Sequence, residues 1–168
     1  MKTALNVLNE LVADGVIQDY AIGGATGAAF YVEAISTMDV DVFVLFNDDF
    51  NLPPLQPVYD ALKSKGYLPD DNIRECVNIA GTPVQFLPAY NPLLIDALAN
   101  AEPFEYDGIP TKVITAEHLA AICVQTNRVK DRMRVEMFLA WDGFDKLLFF
   151  AILDKFGMSE KKALWMQK

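Results

Sequence analysis

Two aspartates one residue apart, Asp39 and Asp41, are the side chains in this sequence best suited to chemistry. They lie in the run 38–46, where acidic and apolar residues alternate, a pattern that predicts a β-strand. Successive side chains of a strand point to opposite faces, so the two carboxylates share one face. The other face would carry Met38, Val40, Val42 and Val44. Two adjacent carboxylates repel each other unless a cation lies between them, so the spacing predicts a site for a hard metal ion.

A glycine pair, Gly23-Gly24, precedes this strand in the chain. It closes a short predicted strand over 19–22 and leads into a helix of small residues predicted over 25–32. The backbone amides at the start of such a helix are suited to bind phosphate oxygens. The alternative is a tight turn that needs the positive φ angle glycine allows.

These motifs together, in this order, resemble the signature of the nucleotidyltransferase (DNA polymerase β-like) superfamily. The signature is a glycine turn (Gly23, Gly24), a helix, and an Asp-x-Asp strand (Asp39, Asp41), here with Thr37 just before the acids. Among its branches, the AbiEii-type minimal nucleotidyltransferases and toxins are the most similar. The resemblance implies an α+β fold, with a mixed β-sheet flanked by helices and a C-terminal helical portion. It also implies Mg²⁺ held by both catalytic aspartates and a nucleoside triphosphate bound by the glycines and Thr37.

One position departs from the superfamily pattern. A hairpin predicted over 73–88 carries Gln85 where the superfamily has a third catalytic carboxylate. A glutamine can ligate a metal through its carbonyl oxygen, but it cannot act as a base at neutral pH. Glu75 and Glu33 are candidate replacements, with solvated acids as the alternative. Two functions therefore stay open: an active nucleotidyltransferase, or a degenerate fold that binds a nucleotide or a protein partner without turnover.

A basic segment near the end of the chain is the second informative stretch. Four of the 14 basic residues lie within 128–134, after a hydrophobic helix that Thr115 is predicted to cap. The segment again resembles the AbiEii-type pattern, which implies that Arg128 and Lys130 bind the triphosphate. The alternative is a solvated helix face whose charges pair with nearby acids. His118, the single histidine, is interpreted as a packing or capping residue of the same helix.

Composition limits the remaining possibilities. The 168 residues suit one domain, with an α/β core over 1–113 and C-terminal helices over 114–168. A net charge of -9 argues against broad binding to nucleic acid, although contact with an RNA end stays open. Cys76 and Cys123 are far apart without zinc-ligand spacing, which suggests reduced thiols in a cytoplasmic protein.

The longest apolar run, 147–153, is too short to cross a bilayer, so no membrane association is expected. It belongs to a helix predicted over 144–156 that is apolar on nearly every side. Such a helix is buried in its own core or against a partner, either a second copy of the chain or an antitoxin-like protein. The sequence does not distinguish a small molecule, an RNA end or a protein as the acceptor of the transferred group.

Overall fold

The computed structural model of the chain describes residues 1–32, 37–46, 55–73 and 75–165. Within these ranges the helices are α1 (Lys2–Ala13), α2 (Gly24–Ala28), α3 (Gln56–Ser64), α4 (Pro92–Ala99), α5 (Ala116–Thr126), α6 (Val129–Ala140), α7 (Lys146–Lys155) and α8 (Ser159–Lys162). The strands are β1 (Asp19–Ile22), β2 (Val40–Leu45), β3 (Leu68–Pro69), β4 (Cys76–Ile79), β5 (Thr82–Pro88), β6 (Glu102–Tyr106) and β7 (Ile109–Val113).

The strands form one mixed sheet in the order β3-β4-β5-β2-β1-β7-β6. The central strand β2 pairs antiparallel with β1 and parallel with β5, while β1 pairs parallel with β7. The outer pairs β4–β5 and β6–β7 are antiparallel hairpins. The expected α+β fold, a mixed sheet flanked by helices, is therefore confirmed.

The two faces of β2 pack into two different apolar layers. Val40, Val42 and Val44 are buried with residues of α1 and α3, as their alternation predicts. Phe43 is buried on the opposite face with residues of α4, α5, α6 and α7. Met38 does not join the valines: it is 76% exposed, because the strand begins only at Val40. The acids at the start of β2 thus lie where the apolar cover of the sheet ends.

The helix after the glycine pair is shorter than predicted. β1 has the expected bounds, but α2 ends at Ala28, and the residues after it form tight turns such as Tyr31 N–H to the Ala28 carbonyl, 3.0 Å. The rings of Phe30 and Tyr31 there contact Phe104 of β6, with centroids 5.2 and 5.9 Å apart. The chain after Ala28 is thus packed against β6 where it leaves the helix.

The basic segment begins a new helix. Asn127 has a left-handed backbone with φ 56°, which ends α5, and Arg128 is the N-cap of α6. His118 is buried on the first turn of α5 and, as interpreted from the sequence, takes part in the cap: Thr115 Oγ1 accepts its backbone N–H at 3.3 Å. The charges of 128–134 therefore occupy the first two turns of α6.

The apolar helix near the C-terminus is α7, and one face of it is core. Phe149, Ile152 and Leu153 are buried, whereas Leu147 and Leu148 are 83% and 46% exposed. No helix among the described residues has both the length and the hydropathy needed to cross a membrane.

Candidate functional site

Four residues on adjacent strands form a row across the sheet that includes Asp41: Gly23, Asp41, Gln85 and Cys76. Gly23 N–H donates to the Asp41 carbonyl at 2.9 Å, Asp41 lies opposite Gln85, and Gln85 lies opposite Cys76. Partners at opposed positions of adjacent strands project from the same face. Strand register therefore brings together residues that are up to 62 positions apart in the chain (85 minus 23).

A cavity of about 390 Å³ opens over this row. It is lined by seven of the eight predicted site residues: Gly24, Thr37, Asp39, Asp41, Gln85, Arg128 and Lys130. The eighth, Gly23, is buried, and a Cβ at this position would overlap the ring of Phe43. Glycine at position 23 therefore leaves the space that the Phe43 ring of β2 occupies.

Asp39 lies one residue before β2 and is fixed by neighbouring hydroxyls. Thr37 Oγ1 donates to the Asp39 carboxylate and lies equally close to its carbonyl oxygen, both at 3.0 Å. Thr26 Oγ1 donates to the same carbonyl at 3.2 Å. The Cys76 thiol lies 4.0 Å from the second carboxylate oxygen. Burial, together with the nearby charge of Asp39, raises the pKa of Cys76 to about 11, so this thiol stays protonated at neutral pH.

The Asp41 carboxylate packs directly against the glycine turn. Gly24 has φ +56°, and a Cβ there would overlap the carboxylate. Burial raises the pKa of Asp41, and the charge of Asp39 raises it further, whereas Arg134, Lys130 and a hydrogen bond from the Ala25 N–H partly offset the rise. The Ala25 amide in the first turn of α2 is thus already used by Asp41, which leaves less of this short helix for phosphate than the sequence suggested.

The opposite wall of the cavity is formed by the end of α5 and the start of α6. Arg128 donates from Nε and Nη2 to the two carboxylate oxygens of Asp131, at 2.7 and 3.1 Å. The Asp131 side chain is fully buried and also accepts the Thr126 hydroxyl at 2.7 Å. Burial alone would raise the pKa of Asp131, but these hydrogen bonds hold it below its ordinary value. Arg128 therefore lines the cavity with its guanidinium already paired.

Among the described residues, the cations that face the acidic pair without such a partner are Lys130 and Arg134. Both line the cavity, and both act electrostatically on Asp41. Lys130 is exposed and has no hydrogen bond or ion pair within the described residues. Arg134 is only 8% exposed, its Nε has no hydrogen-bond partner in the part of the chain that the structure describes, and its Nη1 lies 3.9 Å from the Cys123 sulfur. A buried guanidinium in this state has unused capacity to bind an anion.

Arg134 is the functional candidate that the sequence-based prediction did not select. The signal was present, because Arg134 lies four residues after Lys130 and hence on the same helical face. What the sequence could not show is which face of α6 meets the sheet.

The third-carboxylate position is occupied by an amide in the structure as well. Gln85 Nε2 donates to Glu75 Oε2 at 3.4 Å, a long hydrogen bond at an exposed position. Glu75 is exposed and has φ 67°, and Glu33 lies outside the described residues. Among the residues described, no three His, Cys, Asp or Glu side chains cluster as a metal site. Asp39 and Asp41 are thus the carboxylates at this wall.

Comparison with known proteins agrees with this architecture. No protein-family model and no curated protein sequence matches the chain. The fold is similar to the crystal structure of an antigenic nucleotidyltransferase-like protein from Paracoccidioides brasiliensis, with a TM-score of 0.57, 16% identity, and coverage of 80% of this chain and 72% of that one. The chain therefore has a nucleotidyltransferase-like fold.

Two structures of ANT(2")-Ia also match over most of their length. One is a crystal structure in complex with adenylyl-2"-tobramycin, with a TM-score of 0.46, 11% identity, and coverage of 96% of this chain and 94% of that one. The other is a solution structure with a TM-score of 0.46, 12% identity, and coverage of 97% and 88%.

Proposed function

We propose that the protein is a nucleotidyltransferase, which moves a nucleoside monophosphate from a nucleoside triphosphate to an acceptor. The most direct support is that two carboxylates and two cations line one cavity and face each other across it: Asp39 and Asp41 on one wall, Lys130 and Arg134 on the other. A triphosphate with a bound cation carries both signs of charge, and it matches two walls of opposite charge. A neutral ligand would match the charge of neither wall.

The donor set fits Mg²⁺ when the metal is shared with the nucleotide. Two carboxylates project into the cavity, and burial together with mutual repulsion raises the pKa of Asp41, so a cation between them would be stabilising. Mg²⁺ in proteins is commonly held by one or two carboxylates together with substrate phosphates. When bound, the ion would neutralise charge that develops on the phosphate oxygens.

The remaining roles belong to the residues of the chain. Thr37 holds Asp39 in place, and Gly24 leaves the space that Asp41 occupies. Lys130 and Arg134 would contact the phosphates, with Arg128, braced by Asp131, beside them. Catalysis of this kind rests on positioning and charge stabilisation. An acceptor oxygen attacks the α-phosphorus, the bond to the bridging oxygen breaks, and pyrophosphate leaves with the electron pair.

Isothermal titration with each nucleoside triphosphate, with and without Mg²⁺, tests this proposal. Binding should require Mg²⁺ and should be lost in the double variant Asp39→Asn/Asp41→Asn. Asp60→Asn, which changes an exposed aspartate on α3, is the matched control and should bind normally. In a transfer assay, Asp41→Asn alone should abolish metal-dependent turnover while the fold is kept. Nucleotide binding by the double variant equal to that of the wild type would contradict the proposal.

A second candidate function rests on Gln85. A degenerate nucleotidyltransferase fold that binds a nucleotide or a protein partner without turnover would tolerate an amide at this position. Gln85→Asp distinguishes the two, because it places a third carboxylate directly opposite Asp41 in the sheet. Transfer activity that appears only in this variant would identify a decayed enzyme. Activity in the wild type would exclude the degenerate alternative.

The proposal also covers the biological setting of the protein, that is, its partner and its location. The AbiEii-type likeness of the basic segment supports a toxin–antitoxin component, with an antitoxin-like partner or a second copy on the exposed leucines of α7. Both cysteines are free and buried, which supports a reducing, cytoplasmic location. Size-exclusion chromatography with light scattering tests self-association, and a monomer at all concentrations would exclude the second copy.

A further inference from the structure

A second cavity adjoins the first at the acidic pair. It has a volume of about 520 Å³ and shares five lining residues with the first cavity: Ala25, Thr37, Asp39, Lys130 and Arg134. The described residues that line it alone are Met38, Ile73, Met133 and Met137. Among the described lining residues, the charged and hydroxyl groups are thus concentrated where the cavities meet, and those that belong to the second cavity alone are apolar.

This apolar lining is open to solvent rather than packed in the core. Met38 is 76% exposed and Met133 is 62% exposed. Methionine has three flexible bonds and a polarisable sulfur, so it adapts to apolar ligands of varied shape. Large apolar side chains grouped at a cavity that is continuous with a polar site are typical of a ligand-binding surface.

The charges at the junction limit what such a ligand can carry. Lys130 and Arg134 both border the second cavity, and Asp39 is the single acid among its described lining residues. The Arg134 guanidinium is buried and its Nε has no hydrogen-bond partner within the described chain. A cationic ligand would be repelled at this border, whereas an uncharged hydroxyl could approach the phosphates held there.

We infer that the second cavity is the acceptor site, and that the acceptor is a small molecule with an apolar body and a hydroxyl group but no positive charge. The inference rests on the proposed function. The apolar body would lie against the methionines and Ile73, which directs the hydroxyl toward Asp39. Its oxygen forms the new bond to the α-phosphorus, its proton passes to water, and pyrophosphate leaves. The first cavity, which is lined by Gln85 and by Arg128 paired with Asp131, then takes the nucleotide.

Methionine methyl NMR with 1-hexanol as the probe tests the site. The chain has six methionines, and in protein labelled with ¹³C-methyl methionine the signals of Met38, Met133 and Met137 should shift. Met1 and Met158, which belong to neither described lining, serve as internal controls. Hexylammonium has the same chain with a positive charge, and it should bind at least about fivefold more weakly.

A pair of variants on α6 isolates the apolar lining from the charges. Met133→Gln should weaken hexanol binding about tenfold, the equivalent of ~1.4 kcal/mol. Val129→Gln changes a residue one turn earlier that is 79% exposed and lies outside both described linings, and it should have no effect. Neither variant alters a charge, so calorimetry should show unchanged Mg²⁺-dependent nucleotide binding in both.

Transfer completes the test. With Mg²⁺ and an α-labelled nucleoside triphosphate, the wild type and Val129→Gln should form labelled hexyl ester, and Met133→Gln should form about tenfold less. Hexanol binding without ester, equal ester from Met133→Gln, or tighter binding of hexylammonium would overturn the acceptor assignment. Hexanol binding without any nucleotide binding would overturn the proposed function as well, so the two failures are distinguishable.

Discussion

The two walls of the main cavity are built by different means. On the acidic wall, Asp41 and Gln85 are placed by the register of adjacent strands, so backbone hydrogen bonds determine their positions. On the cationic wall, Lys130 and Arg134 are placed by one helix, whose start is fixed by the side chain of Asp131. The acids are short and partly buried, while the cations are long.

This difference suggests a division of labour between the walls. A short side chain on a paired strand has few conformations, so the acidic wall can locate a ligand atom accurately. Long cationic side chains match charge over a wider region but lose more rotamer freedom when they bind. Disturbing the acidic wall should therefore abolish binding, and disturbing the cationic wall should weaken it.

Gly24→Ala should have the largest effect, because the new Cβ would displace the Asp41 carboxylate. We expect Mg²⁺-dependent nucleotide binding to fall by at least about 100-fold in isothermal titration. Gly66→Ala is the control: it has φ +87°, and its added Cβ would meet no described atom within 4 Å, so it carries only the backbone strain of about 1 to 2 kcal/mol. Equal binding by the two variants would show that Gly24 serves only the turn.

Asp131→Asn should have the next largest effect, on stability. It removes the charged acceptor of Arg128 and Thr126 and should cost about 2 kcal/mol of unfolding free energy in urea. The folded-state pKa of Asp131 lies below its ordinary value, so the stabilisation is present above the unfolded-state pKa and is lost as pH falls through the folded one. The difference from the wild type should thus shrink below about pH 4. A difference that is constant with pH would mean that the carboxylate charge is irrelevant.

Arg134→Met should weaken nucleotide binding about tenfold while leaving stability unchanged or improved. The guanidinium is buried with an unpartnered Nε among the described residues, so an apolar side chain of similar length relieves desolvation and removes an anion contact. Arg132→Met, an exposed arginine that donates to the Asn127 side chain, should change neither property. A large loss of stability in Arg134→Met would assign that arginine a structural role.

The smallest expected effect is on the stability of the ligand-free protein: Asp41→Asn, the same variant that should abolish turnover, should raise the Tm at neutral pH. Burial and Asp39 raise the folded-state pKa of Asp41, so the carboxylate increasingly opposes folding as pH rises above the ordinary aspartate pKa, and the cost is complete above the folded-state pKa. The amide removes this cost, and the gain should disappear as pH falls below the ordinary aspartate pKa. The difference in Tm between the variant and the wild type is the quantity to measure. If this difference were smaller at neutral pH than at acidic pH, the account would be contradicted.

Much of the acidic wall was predictable because its signals are local. Alternation around Asp41 gave the orientation of both acids, and the bounds of β1 matched the expected 19–22. The seven predicted residues that line one cavity come from segments more than 100 positions apart (130 minus 24). The Asp-x-Asp spacing and the family resemblance together were sufficient to predict that these seven residues lie near one another.

The cationic wall was less predictable because it depends on tertiary packing. Helical spacing separated Arg128 and Arg132 from Lys130 and Arg134, but it could not show which pair meets the sheet. The helix break at Asn127 precedes α6 and determines which of its faces meets the sheet. Asp131 pairs with Arg128, the arginine that the sequence analysis assigned to phosphate. The second cavity was also not predicted, since Met38 was expected on the strand face that carries Val40, Val42 and Val44, opposite the aspartates.

The alternation of acids and valines in β2 also bears on how the chain finds its fold. A slip of one residue against β5 would turn Asp41 into the apolar layer under α1 and α3, and would bring Val40 or Val42 into the polar cavity. Burying an unpaired carboxylate there is costly enough to disfavour the misaligned sheet. The aspartates proposed to act on nucleotides therefore also favour the native register of β2 over a register shifted by one residue.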